Sequence, residues 1–475
     1  MSAEAGAEVP VEPSYPPARL NRGVTAAALA VLGVLASLVF WPSTGLDTLD
    51  QPELSLERVV TRDMDFRAAA ALTPSWEAPL YALALSSDAE ARATAIGWYE
   101  ELVQVEGSPL AELYRLILLA EDGRADALQE ALAAWTPGDE WAGRLATWAR
   151  AAYGAEPPAD GLRSALAAVR RELPAGWFAD RLAARLASRL GDDAALAESA
   201  RASEARGTPL VWRLRAILAS ETLLVALGAV ALVTLVTVPG GAAARVSMAP
   251  IPPPWGAADG AGLFARGALG LVGVAIIWPF MPDRAWATPV VSAISAIPIV
   301  GYLLWQCGSW RSLADTFGLR VSRAALPALA RAAVALVGLS TLADVLIELA
   351  GARLGVETHW TDGFQERLVW GPPAEVVADV LDSCVFAPVV EELLFRGVLY
   401  GTLRLRLGPL PATATSAALF ALAHGYGLIG FVSVFVSGVL WALAYERTRS
   451  LLPGMLAHAA SNVQATAIVL ATLRF

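Results

Sequence analysis

Glu391-Glu392-Leu393-Leu394-Phe395-Arg396 places two carboxylates and a guanidinium inside an otherwise apolar stretch. Each ionised side chain at mid-bilayer costs about 2.5–3.5 kcal/mol on the insertion scale, so three together need a compensating use. On a helix Glu392 and Arg396 stand four residues apart, share a face and are oriented to pair. Glu391 is turned about 100° from Glu392 and can face another part of a bundle. One carboxylate held charged beside an arginine, with its neighbour free to take a proton, suits general-base chemistry. The competing reading is a buried packing network that only fixes helix position.

The chain has 3 histidines. His424 follows Phe420 by four residues and His458 precedes Asn462 by four, so each pair presents one helical face. A lone membrane histidine can simply bond to a neighbouring helix, but two of them beside two glutamates and an arginine favour a site. His359 falls in a polar loop and is expected to be solvated. Two histidines and a carboxylate on separate helices could also hold zinc with an open position. Against zinc, no His-Glu-x-x-His occurs and the third ligand is not evident. No cofactor is therefore expected, and zinc is the minority reading. The two cysteines, Cys307 and Cys384, are too few for a disulfide framework. Cys384 shares a face with Glu391, yet a cysteine in an apolar setting is usually inert.

Three motifs, Glu391-Glu392-x-x-x-Arg396, Phe420-x-x-x-His424 and His458-x-x-x-Asn462, occur in order on successive apolar segments. In this the sequence resembles the CPBP intramembrane proteases, the group that includes the CAAX prenyl endopeptidases of the Rce1 type. The resemblance covers about 320–475, with Phe317-Gly318-Leu319-Arg320 similar to the usual lead-in. It implies an intramembrane endopeptidase in which Glu391 activates a water and His424 holds that water or shares its proton. His458 and Asn462 would donate to the developing oxyanion, and Glu392 and Arg396 would orient and balance the site. The substrate implied is a peptide or a membrane-associated protein. The first 210 residues lie outside the resemblance.

Such residues need a membrane scaffold, and the composition supplies one. Of 475 residues 56% are hydrophobic and 17% charged, and the mean hydropathy is +0.51, which excludes a purely soluble enzyme. A net charge of −10 without a basic patch excludes a nucleic-acid partner. Uncharged runs near bilayer length predict a retained anchor at 23–42 and further spans at about 216–238, 261–281, 288–307, 325–350, 374–402, 409–425, 427–446 and 451–472. The expected fold is all-α: a polytopic transmembrane bundle of about nine spans with an inserted α-helical domain. Gly267, Gly270 and Gly273 in one span resemble a phosphate loop only superficially and are read as close-packing positions.

Residues 1–22, rich in proline and acidic side chains, read as a disordered tail. Residues 46–212 are amphipathic, with charges returning and Gly, Pro or Asp breaks between short helices. The turns at Gly123 and Gly191 give this domain a repeat-like aspect, and Trp76, Trp98, Trp135, Trp148 and Trp177 are expected core fillers. The transmembrane helices of 216–307 then lead into the core at 320–475. With the N-terminus inside, one set of short loops carries ten arginines, from Arg19 and Arg22 through Arg447 and Arg449. The other carries four, Arg284, Arg353, Arg367 and Arg474. That excess puts the N-terminus in the cytoplasm and the 46–212 domain outside it, in a cytoplasmic (inner) membrane. Counted at 1.5 Å per residue, Glu391 lies about 20 Å in from Arg404, His424 about 22 Å in from Pro409, and His458 only about 14 Å in from Arg449. A non-catalytic scaffold or immunity-type protein, binding a protein partner through 46–212, is the reading from a different class.

Overall fold

The computed structural model describes residues 22–39, 45–154, 161–237, 245–277, 287–356 and 358–475. The tail expected at 1–22 lies outside them except for Arg22. The described residues form helices and no strand. Among the described residues, each of the nine segments expected to span a membrane contains a helix, although the helices differ in length. Among the described residues four of these helices, Asp193–Thr237, Arg323–Leu354, Leu428–Thr448 and Leu452–Arg474, are long and apolar enough to cross a bilayer. Pro409–Leu422 is a shorter apolar helix.

Two compact units divide the chain. The first consists of 1–41, 223–345 and 373–464. Its centre is a continuous helix over 373–403, here called the motif helix, in which α-helical turns alternate with wider π-turns at Asp382–Phe386 and Glu392–Tyr400. Such turns leave backbone carbonyls outside the α pattern. Two neighbours use them: Ser416 Oγ donates to the Phe395 carbonyl at 2.9 Å, and Asn462 Nδ2 donates to the Ser383 carbonyl at 2.6 Å.

Small residues allow the surrounding helices to approach one another. A Cβ on Gly228 would lie 2.6 Å from the Gly338 Cα, so helices Asp193–Thr237 and Leu326–Leu354 meet backbone to backbone. Cβ atoms on Gly267 and Gly270 would strike Ile299 at 2.7 Å and Pro298 at 2.5 Å. Two of the three glycines read as packing positions thus pack, while Gly273 has open space. Phe317 is fully buried where Gly397 of the motif helix leaves room for it, since a Cβ there would stand 2.8 Å from its ring. The following Gly318 has φ +65° and lies against the Arg449 carbonyl, a conformation and an approach that only glycine permits.

Three loops are stitched together at that end of the unit. Val246 N donates to Thr448 O at 2.9 Å, Arg449 Nη1 to Ala249 O at 3.2 Å, Ser450 Oγ to Gly318 O at 2.7 Å and Leu451 N to Phe317 O at 3.1 Å. Close by in sequence, Arg404 and Tyr400 both bond to Glu446.

The second unit consists of 42–222, 346–372 and 465–475. It therefore contains the 46–212 stretch together with two segments remote in sequence. Its helices are closed by ordinary signals, including a Ser87/Glu90 capping box, Ser108 and Asp139 as N-caps, and left-handed Gly107 and Gly191. Leu56, Tyr99, Leu116, Leu145, Trp177 and Leu182 centre its core, in which Tyr114 stacks on Phe178 at 4.0 Å. Glu366, from the remote segment, accepts from Asp50 N at 2.8 Å, Gln51 N at 2.9 Å and Ser55 Oγ at 3.0 Å, satisfying donors at the start of helix Pro52–Ala70. Arg58 and Arg213 donate to the carbonyls of Leu473 and Ala471 at 3.3 and 3.1 Å.

Two expectations need correction here. Trp148 and Trp177 are core residues and Trp98 and Trp135 pack against the core, but Trp76 is 68% exposed and fills nothing. His359 is not simply solvated: Nε2 lies 3.0 Å from Glu101 and Nδ1 2.7 Å from Thr361 Oγ1, because the 346–372 segment folds onto helix Asp88–Glu106.

Candidate active site

Five of the six residues singled out from the sequence converge in the first unit. Glu392 and Arg396 form an ion pair at 2.7 Å with side chains 1% and 0% exposed. Arg396 is held flat as well as paired, its guanidinium carbon 4.0 Å from the Phe420 ring and 5.1 Å from that of Trp441. The planar, weakly hydrated guanidinium is the cation best suited to such stacking.

His458 lies between the two glutamates. Its Nδ1 is 3.4 Å from Glu392 Oε1 and its Nε2 is 3.7 Å from Glu391 Oε2. Trp441 stacks on the imidazole with centroids 4.4 Å apart and planes 22° from parallel, while Phe420 meets it edge-on at 5.8 Å. The two aromatic rings thus confine the imidazole, and a carboxylate stands beyond each of its nitrogens. The sequence reading sent the two carboxylates to different parts of the bundle, whereas here they meet the same imidazole from opposite sides.

His424 brings the third group. It stands beyond the end of helix Pro409–Leu422, which Gly425 terminates at φ +67°, and not within a span as its spacing from Phe420 implied. Its Nδ1 donates to the Phe420 carbonyl at 2.8 Å, one of the acceptors a helix end leaves without a helical partner. A carbonyl can only accept, so Nδ1 carries the proton and Nε2 of the neutral ring is an acceptor. That Nε2 faces Glu391 Oε2 at 3.9 Å.

The site has an open half and a sealed half. The Glu391 and His424 side chains retain 26% and 23% exposure, against 4% for His458. Asn462, the sixth residue, makes its hydrogen bond to Ser383 and to none of the other five. It shares a helix with His458, one turn further along.

Four supporting residues gave no signal in the motifs. Trp441 packs against both His458 and Arg396. A Cβ on Gly438 would lie 2.9 Å from Arg396 Nη2, and one on Gly454 would lie 3.1 Å from Glu392 Oε2, so both glycines make room for the ion pair. Ser416 satisfies the Phe395 carbonyl of the π-turn. The Gly438–Trp441 spacing of three residues does place both on one helical face, a weak signal until the partner helix is known.

Among the described residues no group of three or more His, Cys, Asp or Glu side chains is arranged to hold a metal ion. Cys307 and Cys384 form no disulfide, and Cys384 is buried.

The motif helix, its π-turns, both glutamates and both site histidines fall within one stretch of the chain. Residues 373–464 match the Rce1-like family of type II CAAX prenyl endopeptidases. The Rce1-like segment contains all six residues, Asn462 included, and is well under half of the chain. No curated protein and no solved structure matches.

Proposed function

We propose that the protein is an intramembrane endopeptidase that hydrolyses a peptide bond with a water activated by Glu391. The observation that carries this reading is the disposition of three groups around one space: Glu391 Oε2 faces the Nε2 atoms of His424 and His458 at 3.9 and 3.7 Å. These separations exceed direct hydrogen bonds and suit a bridging water. The Rce1-like match supports the reaction class.

In the proposed reaction Glu391 takes a proton from the water as its oxygen attacks the substrate carbonyl, and His424 Nε2 accepts the water's second hydrogen bond. The same carboxyl then gives its proton to the leaving amine, so the proton ledger closes. His458 donates from Nε2 to the oxyanion while its Nδ1 side faces Glu392. Arg396 balances Glu392. Asn462 spends one N–H on Ser383 and has its second for the substrate. Fixed donors in a low-dielectric site stabilise the developing charge far better than mobile water does.

The nine helical segments are assigned as nine spans of a cytoplasmic membrane, with the N-terminus inside and the 46–212 domain outside. Three loops of the set richer in arginine, at 245–250, 317–323 and 447–450, are bonded together at one end of the first unit, which supports their common side. Arg353, Arg367 and Arg474, from the opposite set, all belong with the helical domain in the second unit. The substrate class is a peptide or a membrane-associated protein reaching the half-open side at Glu391.

The test is cleavage of a fluorogenic peptide library by detergent-purified protein, comparing wild type, Glu391→Gln and His458→Ala with and without a strong chelator. Activity lost in both variants and kept with chelator agrees with the proposal. Activity abolished by chelator and restored by zinc would replace it with a metal-dependent hydrolase.

A further inference from the structure

Segment 71–85 of the second unit, joining helices Pro52–Ala70 and Asp88–Glu106, has its surface inverted. Leu72, Trp76 and Leu80 are 67%, 68% and 50% exposed, and nearby Trp212 is 64% exposed. The polar side chain between them turns inward instead. Glu77 is 5% exposed, accepts from Tyr81 Oη at 2.6 Å and is gripped by Arg215 at 2.8 and 3.0 Å. Tyr81 packs with Phe66, Leu210 and Val211 in a small core of its own. The segment is firmly docked, and a water-facing surface would present Glu77 and bury the tryptophan.

Its height is set by two helices that meet the length and apolarity of a membrane span. Arg215 lies on one of them, Asp193–Thr237, and Arg213 of that helix donates to the carbonyl of Ala471 at 3.1 Å. Ala471 is near the end of the other, Leu452–Arg474. The foot of the first helix's apolar stretch and the end of the second therefore meet at Arg213, and Glu77 is tied to Arg215, about 3 Å further along by helical rise. Positive charge gathers there too. Arg58 donates to Leu473 O, and the Arg215 guanidinium lies 4.4 Å over the Trp212 ring. Tryptophan and leucine beside arginine at the end of an apolar helix are the composition of a bilayer interface, where phosphates meet acyl chains.

We propose that Leu72, Trp76, Leu80 and Trp212 form an interfacial anchor that seats the helical domain in the lipid headgroup layer. The occupant of this patch is the bilayer itself, and the proposal rests on the membrane placement given above.

Full-length protein in lipid nanodiscs is compared as wild type, Trp76→Phe and Trp212→Phe. Tryptophan emission is quenched either by lipids brominated close to the headgroup or by acrylamide in the water. Neither ring belongs to a core, so the variants keep the fold, and either one alone suffices. The emission removed by each substitution should be the lipid-quenched component, with little loss of the acrylamide-quenched one. If the emission removed is quenched by acrylamide and not by lipid, the patch faces water or a protein and the anchor is overturned. Failure of the wild-type chain to enter nanodiscs speaks instead against the membrane reading itself.

Discussion

Trp441 stacks on His458 at 4.4 Å and at the same time carries the Arg396 guanidinium 5.1 Å from its ring centroid. One indole therefore holds a nitrogen donor of the site and the counter-ion of the second glutamate. Aromatic pairs contribute about 0.5–1.5 kcal/mol beyond burial, so loss of the ring lowers kcat by up to about tenfold. Trp441→Ala should show that loss with KM nearly unchanged, and Trp441→Phe should recover most of it. A change confined to KM would assign Trp441 to substrate binding.

The two neighbouring glutamates should separate experimentally. Glu391 is partly exposed and not ion-paired at hydrogen-bond distance, so Glu391→Gln should fold normally while cleavage falls by about 10²–10⁴-fold, the usual worth of a general base. Glu392→Gln leaves Arg396 buried without its charge partner, at a cost of about 3–5 kcal/mol. Thermal unfolding in detergent, measured beside activity, distinguishes a chemical lesion from a structural one.

The glycines beside the ion pair make a third test. Gly438→Val puts a branched side chain where even a Cβ lies 2.9 Å from Arg396 Nη2 and 3.1 Å from Ala417. Overpacking of this kind costs about 1–3 kcal/mol. Cleavage should be lost in Gly438→Val, whereas Gly273→Ala, which adds a Cβ in open space, should leave both activity and melting temperature unchanged.

In the helical domain burial pushes the Glu57 carboxyl up from 4.5 to about 7, against a lowering bond from Tyr114. Between those values the folded state binds more protons than the unfolded one. The associated stability is complete below about pH 4.5 and is lost as pH rises through about 7, by up to about 3 kcal/mol. Denaturant unfolding followed by tryptophan fluorescence should find wild type less stable at pH 8 than at pH 5. Glu57→Gln should flatten that difference, and an unchanged slope would remove Glu57 as its source.

Much of this site was legible because charges in apolar sequence are costly and few residues carry them. Glu391, Glu392, Arg396, His424 and His458 stand out for that reason alone, and i to i+4 spacing suffices to pair Glu392 with Arg396. What spacing cannot carry is the behaviour of an irregular helix. Asn462 bonds to Ser383 because a π-turn exposes that carbonyl, and no residue pattern announces a π-turn. His424 acts as a helix-end residue because Gly425 stops the helix just after it, a distinction invisible to a count of four. The shallower depth counted for His458 is no obstacle, since it meets both glutamates. In the helical domain the returning charges marked 46–212. They could not show that Glu366 and Leu473, hundreds of residues away, complete the same unit.

That discontinuity sets the order of biosynthesis. Helix Pro52–Ala70 is made early, yet Arg58 and Arg213 find their carbonyl partners only on residues 471–473. Every membrane segment and every motif residue must leave the ribosome before the helical domain can close around its final strand of chain. A ribosome stalled at residue 464 would therefore have built all six site residues while the helical domain still lacked the carbonyl partners of Arg58 and Arg213.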